Sequence, residues 1–253
     1  MNRSVRRYNR QFRPAFSRLH QDRDLRWVVP LSVRYVIAVT GERFAGKSAA
    51  LAYLSERKGF RVYSLADTLR DIAVRLGVPL EPRYRLQDLG DELRAHFGDP
   101  AYLARLTLRR IHRDHLDDRG TVEPLRRIAV GGFKRPEELT LFEQLDRFQH
   151  LRIEARMGTR HERARDSEVM QRELNHLSPT PAFDRAAFKE HVEKRDLYGD
   201  DSRWTAGYGQ AVKELIEVGS AEAIKNNGSL AQLYSELDGK VKELDGRFRS
   251  FSA

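Results

Sequence analysis

The chain has 253 residues and a mass of 29.3 kDa, enough for one sizeable α/β domain that needs no covalent staples. Its 33% charged and 40% hydrophobic residues are those of a soluble globular protein, no run approaches the roughly 18 apolar residues of a membrane span, and the absence of cysteine excludes disulfides and thiolate metal sites. The net charge of +9 is uneven: residues 1–26 carry eight arginines against two aspartates. This basic arm, with Tyr8, Phe12 and Phe16 interleaved, suits a solvated extension, a nucleic-acid backbone, an acidic partner or, in a eukaryotic host, a targeting peptide. WVVPL (27–31) is too short for an apolar signal core, so a cytoplasmic protein is expected.

After the arm (1–32), residues 33–39 read as a buried parallel strand and 48–58 as a helix ending at Gly59. FRVYSL (60–65) is a second strand, and 67–76 a helix stopped by Gly77. Residues 85–120 read as two helices broken at 98–100. A third strand covers 125–133, a helix opens at Pro136, and a fourth strand covers 148–155. Charge rises and apolar content falls over 156–203, which suits an insertion rather than core. Helix is expected at 205–218, a short strand and turn in 221–229, and an amphipathic closing helix over 230–248. The alternation predicts an α/β fold with a mostly parallel sheet and helices on both faces, in a main domain spanning 33–253.

GERFAGKS (41–48) fits G-x-x-x-x-G-K-[ST] at every fixed position, a match expected by chance roughly once in a hundred chains of this length. A strand precedes it and a helix follows, the context the motif requires. Gly41 and Gly46 let the backbone from Gly41 through Ala45 to Ala49 turn its amides inward on a polyphosphate such as that of ATP, at a helix N-terminus that favours anions. Lys47 is expected on the β- and γ-phosphates and the Ser48 hydroxyl on Mg2+. Farther on, the spacing of Arg156, Arg160 and Arg163 puts them on one helical face, fitting a lid whose arginines close over phosphates and exclude water. The eight histidines show no metal spacing, and His96, His112, His115, His161 and His176 are expected at the surface.

GERFAGKSAALAYLSERKGFRVYSLADTLRDIA (41–73) resembles the opening of the nucleoside-monophosphate-kinase branch of P-loop proteins, in particular the deoxynucleoside monophosphate kinases and dephospho-CoA kinases. RYRLQDLGDELRAHFGDPAYLARLTLRRI, GGFKRPEEL and IKNNGSLAQLY resemble later segments of the same proteins in the same order, so the likeness covers about 35–241. It implies a three-layer P-loop fold with a helical lid insertion, ATP and Mg2+ as cofactors, and phosphoryl transfer to a nucleotide or nucleotide-like acceptor. It also implies that Asp67 and Arg70 face that acceptor, that Arg83 and Arg94 bind it, and that Asn226 and Asn227 lie beside the adenine of the donor. Lys47, Asp67, Arg70 and the lid arginines are then the expected catalytic set.

One departure stands against activity. Where those relatives end the third strand in an aspartate before glycine, IAVGGF has Gly131, and a carboxylate that would help control Mg2+ is missing. Three readings follow: a mononucleotide kinase, a kinase acting on dephospho-CoA or on a base in DNA or RNA, and a catalytically weak ATP- or dNTP-binding regulatory module.

Overall fold

The structure is a computed structural model that describes residues 33–80, 84–116, 126–166 and 221–249. The basic arm, Arg83, His176, the part of the expected insertion beyond 166 and the helix expected at 205–218 lie outside these residues.

β1 (Val33–Thr40) is buried on nearly all of its length, on both faces, which suits a central strand of a parallel sheet covered on two sides. A loop leads from it into α1 (Lys47–Lys58), which Gly59 ends in the left-handed conformation, donating its N–H to the Leu54 carbonyl. β2 (Arg61–Ser64) runs straight into α2 (Leu65–Leu76), because Ser64 serves as the cap: its hydroxyl accepts the Ala66 N–H at 3.2 Å. α3 (Tyr84–Phe97) and α4 (Tyr102–Leu116) follow as two helices, broken as the Gly98 to Pro100 signal predicts. β3 (Arg126–Gly131), α5 (Pro136–Glu143), β4 (Phe148–Glu154) and α6 (Met157–Arg165) continue the alternation. β5 (Glu222–Lys225) and α7 (Leu230–Arg247) close the described chain, the helix opening on a reciprocal cap between Ser229 and Gln232.

The five strands form one sheet in the order β2-β3-β1-β4-β5, every neighbouring pair parallel. Successive side chains of β1 point to opposite faces and feed two cores. Val36 and Ala38 pack with Ile72, Leu93, Leu108 and Phe142 beneath α2 to α5. Tyr35, Ile37 and Val39 pack with Leu54, Leu233 and Leu237 beneath α1 and α7. The result is the expected three layers. α7 is fastened at the other end of the sheet, where Asp245 accepts the Tyr35 hydroxyl at 3.1 Å and pairs with Arg127 at 3.1 Å.

His115 corrects the surface expectation: it is buried against the ring of Tyr63, because α4 turns that face onto β2. Among the described residues no helix is long and apolar enough to cross a membrane.

Candidate active site

Parallel strands deliver all their C-terminal ends to one edge, and the phosphate loop sits at that edge after β1, the central strand. Two glycines are irreplaceable there. Gly41 has φ +138° and a Cβ on it would lie 2.2 Å from the Ile153 carbonyl oxygen, so only glycine lets the loop leave β1 this close to β4. Gly46 has φ +106° and a Cβ would lie 2.1 Å from the Asn226 amide nitrogen. Between them Phe44 takes φ +62°, a left-handed conformation that costs a non-glycine residue about 1–2 kcal/mol. Lys47 folds its ammonium back onto the loop and donates to the Glu42 carbonyl at 2.6 Å, while Ser48 is exposed in the first turn of α1.

The outer side of the loop is held by groups distant in sequence. The Asn226 amide donates to the Ala45 carbonyl at 2.7 Å. Arg163 donates to the Phe44 carbonyl at 3.3 Å, the Ala45 carbonyl at 3.2 Å, and the Asn226 backbone and side-chain oxygens at 3.0 and 3.1 Å. Arg160, 2% exposed, donates to the Arg43 carbonyl at 2.7 Å and pairs with the Glu42 carboxylate at 2.7 Å. Asn227 accepts the Arg156 N–H at 2.6 Å, which ties the start of α6 to the turn after β5. The side chain of Arg156 is exposed.

The expected lid face therefore divides. Arg160 and Arg163 do project together, but onto the loop's carbonyls, and Arg156 alone of the three is exposed. Asn226 likewise spends both ends of its amide on Ala45 and Arg163, so in this arrangement its side chain braces the loop instead of facing a base.

On the other side of β3, β2 ends and α2 begins. One strand lies between β1 and β2, so these two ends are about 10 Å apart at a strand spacing of 4.8 Å. Asp67 and Arg70, one turn apart on α2, are both about half exposed and pair with each other. An exposed pair of this kind contributes little to stability and is readily exchanged for a ligand. The N-cap of α2 is Ser64, which leaves the Asp67 carboxylate uncommitted to the helix end.

The resemblance implies that Arg94 binds the acceptor, but here its side chain is buried in a network of ion pairs. It is 6% exposed and donates through Nε and Nη2 to Glu138, at 3.2 and 2.6 Å, and through Nη1 to Asp91 at 3.0 Å. Burial pulls the Arg94 pKa down, but Glu138 and Asp91 outweigh that and raise it. Burial pushes Asp91 up to about 6 against the pull of Arg94 and Arg135. Glu138 also accepts the Lys134 and Arg135 N–H groups at 2.7 and 3.2 Å. The network thus pins the loop after β3 to α3, and the physical reason for the change is Glu138, fully buried 44 residues beyond Arg94.

At Gly131 the vacancy left by a missing side chain is filled. A Cβ there would lie 2.6 Å from Leu51 Cδ1, so α1 has moved an apolar group into the space where a carboxylate would stand. Among the described residues no group of three or more His, Asp or Glu side chains gathers to hold a metal. The donor set still fits a magnesium ion that enters with a nucleotide, since such ions are held largely by phosphates and water, and the Ser48 hydroxyl is the protein ligand on offer.

Sequence reading missed two polar contacts at this edge. One is the Asn226–Arg163 brace. The other is the buried pair of His150 Nε2 and Thr40 Oγ1, 2.6 Å apart at the end of β1, where burial, then Arg152, lowers the His150 pKa to about 4. An asparagine after an expected strand was the available signal for the first; nothing local marks the second.

A fully parallel sheet of order 2-3-1-4-5 with a G-x-x-x-x-G-K-S loop between β1 and α1 defines an α/β P-loop nucleoside-triphosphate-binding fold. No protein-family model matches the sequence, and no curated protein matches it significantly. Among solved structures the chain is similar to the shikimate kinase of Aquifex aeolicus vf5, at 14% identity and a TM-score of 0.40 over 82% of this chain and 96% of that one. It is similar to the shikimate kinase of Acinetobacter baumannii in complex with shikimate, at 12% identity and 0.43 over 86% and 95%. It is also similar to a gluconokinase of Sinorhizobium meliloti 1021, at 14% identity and 0.39 over 89% and 99%. At these values the fold assignment rests on strand order and loop.

Proposed function

We propose that the protein is a P-loop phosphotransferase that moves the γ-phosphoryl group of ATP to a nucleotide or nucleotide-like acceptor. The observation that carries this reading is the presence, at one sheet edge, of a built phosphate loop after β1 and of an exposed carboxylate and guanidinium on α2, which follows β2, two strands along. Such a placement suits an acceptor held in line with the γ-phosphate of a nucleotide on the loop.

In this reading Lys47 exchanges the Glu42 carbonyl for the β- and γ-phosphate oxygens, and the loop amides take the rest of the charge. Arg70 leaves Asp67 for the acceptor's anionic group. Asp67 then orients the attacking oxygen and takes its proton where it carries one, while the bond from the γ-phosphorus to the bridging oxygen breaks and ADP leaves with the electron pair. Arg156, exposed at the start of α6, would reach the transferring group. Magnesium, bound with the nucleotide, supplies charge on the phosphates, and Ser48 is the residue that would hold it.

A second reading, a nucleotide-binding regulatory module with weak or no transfer, is favoured by Gly131 and by Leu51 in front of it. The test is ADP release by the purified full chain with each nucleoside and deoxynucleoside monophosphate, dephospho-CoA and single-stranded DNA and RNA. Acceptor-dependent ADP release supports the kinase and names its acceptor. ATP binding with no release above the acceptor-free rate supports the module.

A further inference from the structure

The hydrogen bonds of Arg163 go to three backbone carbonyls and one side-chain amide oxygen, all of them neutral. Its neighbour Arg160 differs, because Glu42 lies on it at 2.7 Å and cancels its charge. Burial of Arg163 lowers its pKa, yet a guanidinium stays ionised at neutral pH, and the exposed Glu162 is the carboxylate that acts on it. A full positive charge is therefore held directly behind two peptide units of the phosphate loop, of whose N–H groups that of Ala45 is donated to the Glu42 carbonyl at 3.2 Å.

Two physical effects follow. A cation bound to a carbonyl polarises its peptide unit and makes the N–H on the other side a stronger donor, and the Phe44 and Ala45 carbonyls belong to the peptide units whose N–H groups come from Ala45 and Gly46. The charge itself also acts across the loop in a setting where water is partly excluded. Asn226 gives the same carbonyl a neutral hydrogen bond, so the two residues brace one point with and without charge.

We propose that Arg163 is a positioning residue of the phosphate loop, which strengthens polyphosphate binding through the Phe44 and Ala45 peptide units without itself touching the nucleotide. This rests on the loop binding ATP. Removing the charge weakens binding in proportion to ligand charge, so ATP suffers more than AMP. Removing the Asn226 brace loosens the loop without that dependence.

The experiment is calorimetric titration of the full chain with ATP, ADP and AMP at several salt concentrations, for wild type, Arg163→Met, Arg163→Lys and Asn226→Ala, with thermal unfolding of each. The expected result is a loss of ten-fold or more in ATP affinity for Arg163→Met, a smaller loss for AMP and a shallower salt dependence. Arg163→Lys restores much of the charge-dependent part, and Asn226→Ala keeps the wild-type salt slope. Equal losses for ATP and AMP, or an Arg163→Lys variant no better than Arg163→Met, would overturn the proposal and leave Arg163 a structural tie. Should Arg163→Met fail to fold, the comparison of Arg163→Lys with Asn226→Ala decides alone: Lys at or above Ala in ATP affinity supports the charge, Lys below Ala contradicts it. Wild-type protein that binds no ATP would instead overturn the nucleotide-binding reading itself.

Discussion

The two sides of the sheet edge are built on different plans. On the side of β4 and β5 the phosphate loop is cross-tied by Arg160, Arg163 and Asn226, and its outer carbonyls are committed before any ligand arrives. On the side of β2 the polar groups that could meet a second substrate, Asp67 and Arg70, are about half exposed and, among the described residues, pair with each other. A site that binds the same phosphates every time gains from rigidity, because positioning done in the fold need not be done at each turnover. A site that must exchange acceptor for product gains from groups whose own pairing is weak. On the proposed function, the braced side would take ATP and the open side the acceptor.

The largest test of that assignment is Lys47→Ala. Its ammonium donates to the Glu42 carbonyl of the loop, so the variant is expected to fold with unchanged cooperativity and lose ATP binding by two orders of magnitude or more in a titration. Retained affinity would remove the phosphate loop from the account.

Next in size is the boundary between the two sides. Arg94→Met strips the counter-charge from Glu138, which has no exposure, and breaking a buried pair in this way costs about 3–5 kcal/mol. Urea unfolding should show that loss with the m-value unchanged; a loss under about 1 kcal/mol would mean that Arg94 is available to a ligand after all, as its resemblance to acceptor-binding arginines implies.

Much of this was legible in the residues. Glycine marks the ends of α1 and α2 at Gly59 and Gly77 because both positions need a positive φ, and the buried run at 33–40 announces a central strand because polar residues would otherwise alternate there. The partners of Arg94 and Arg163 were not legible for one reason. The partner of an arginine cannot be read from local sequence when it is far along the chain, and Glu138 lies 44 residues and Asn226 63 residues away. Leu51 in front of Gly131 belongs with them, since a missing carboxylate is visible in a sequence and the group that fills its space is not.

His150 gives a pH test with a smaller expected effect. Its pKa is about 4 in the folded chain and 6.5 when unfolded, so the unfolded state binds more protons between those values and stability falls as pH drops from 6.5 to 4, by at most about 3 kcal/mol. Asp91, raised to about 6, works the opposite way and regains stability as pH falls through that window. The difference between wild type and His150→Gln in unfolding free energy against pH isolates the histidine, and parallel curves would contradict its burial as a neutral ring. Smallest is Phe44→Gly, which relieves a left-handed residue in the loop and should raise stability by up to about 1 kcal/mol; a clear loss would mean that the ring packs where it contributes more than the backbone costs.

The most direct test of the division between braced and open sides is Asp67→Asn, with ATP titrated by calorimetry and transfer followed with the best acceptor found for the wild type. The account predicts ATP affinity within a few-fold of wild type and a transfer rate lower by about 10²–10⁴. Transfer within a few-fold of wild type, or ATP affinity lost together with transfer, would contradict it.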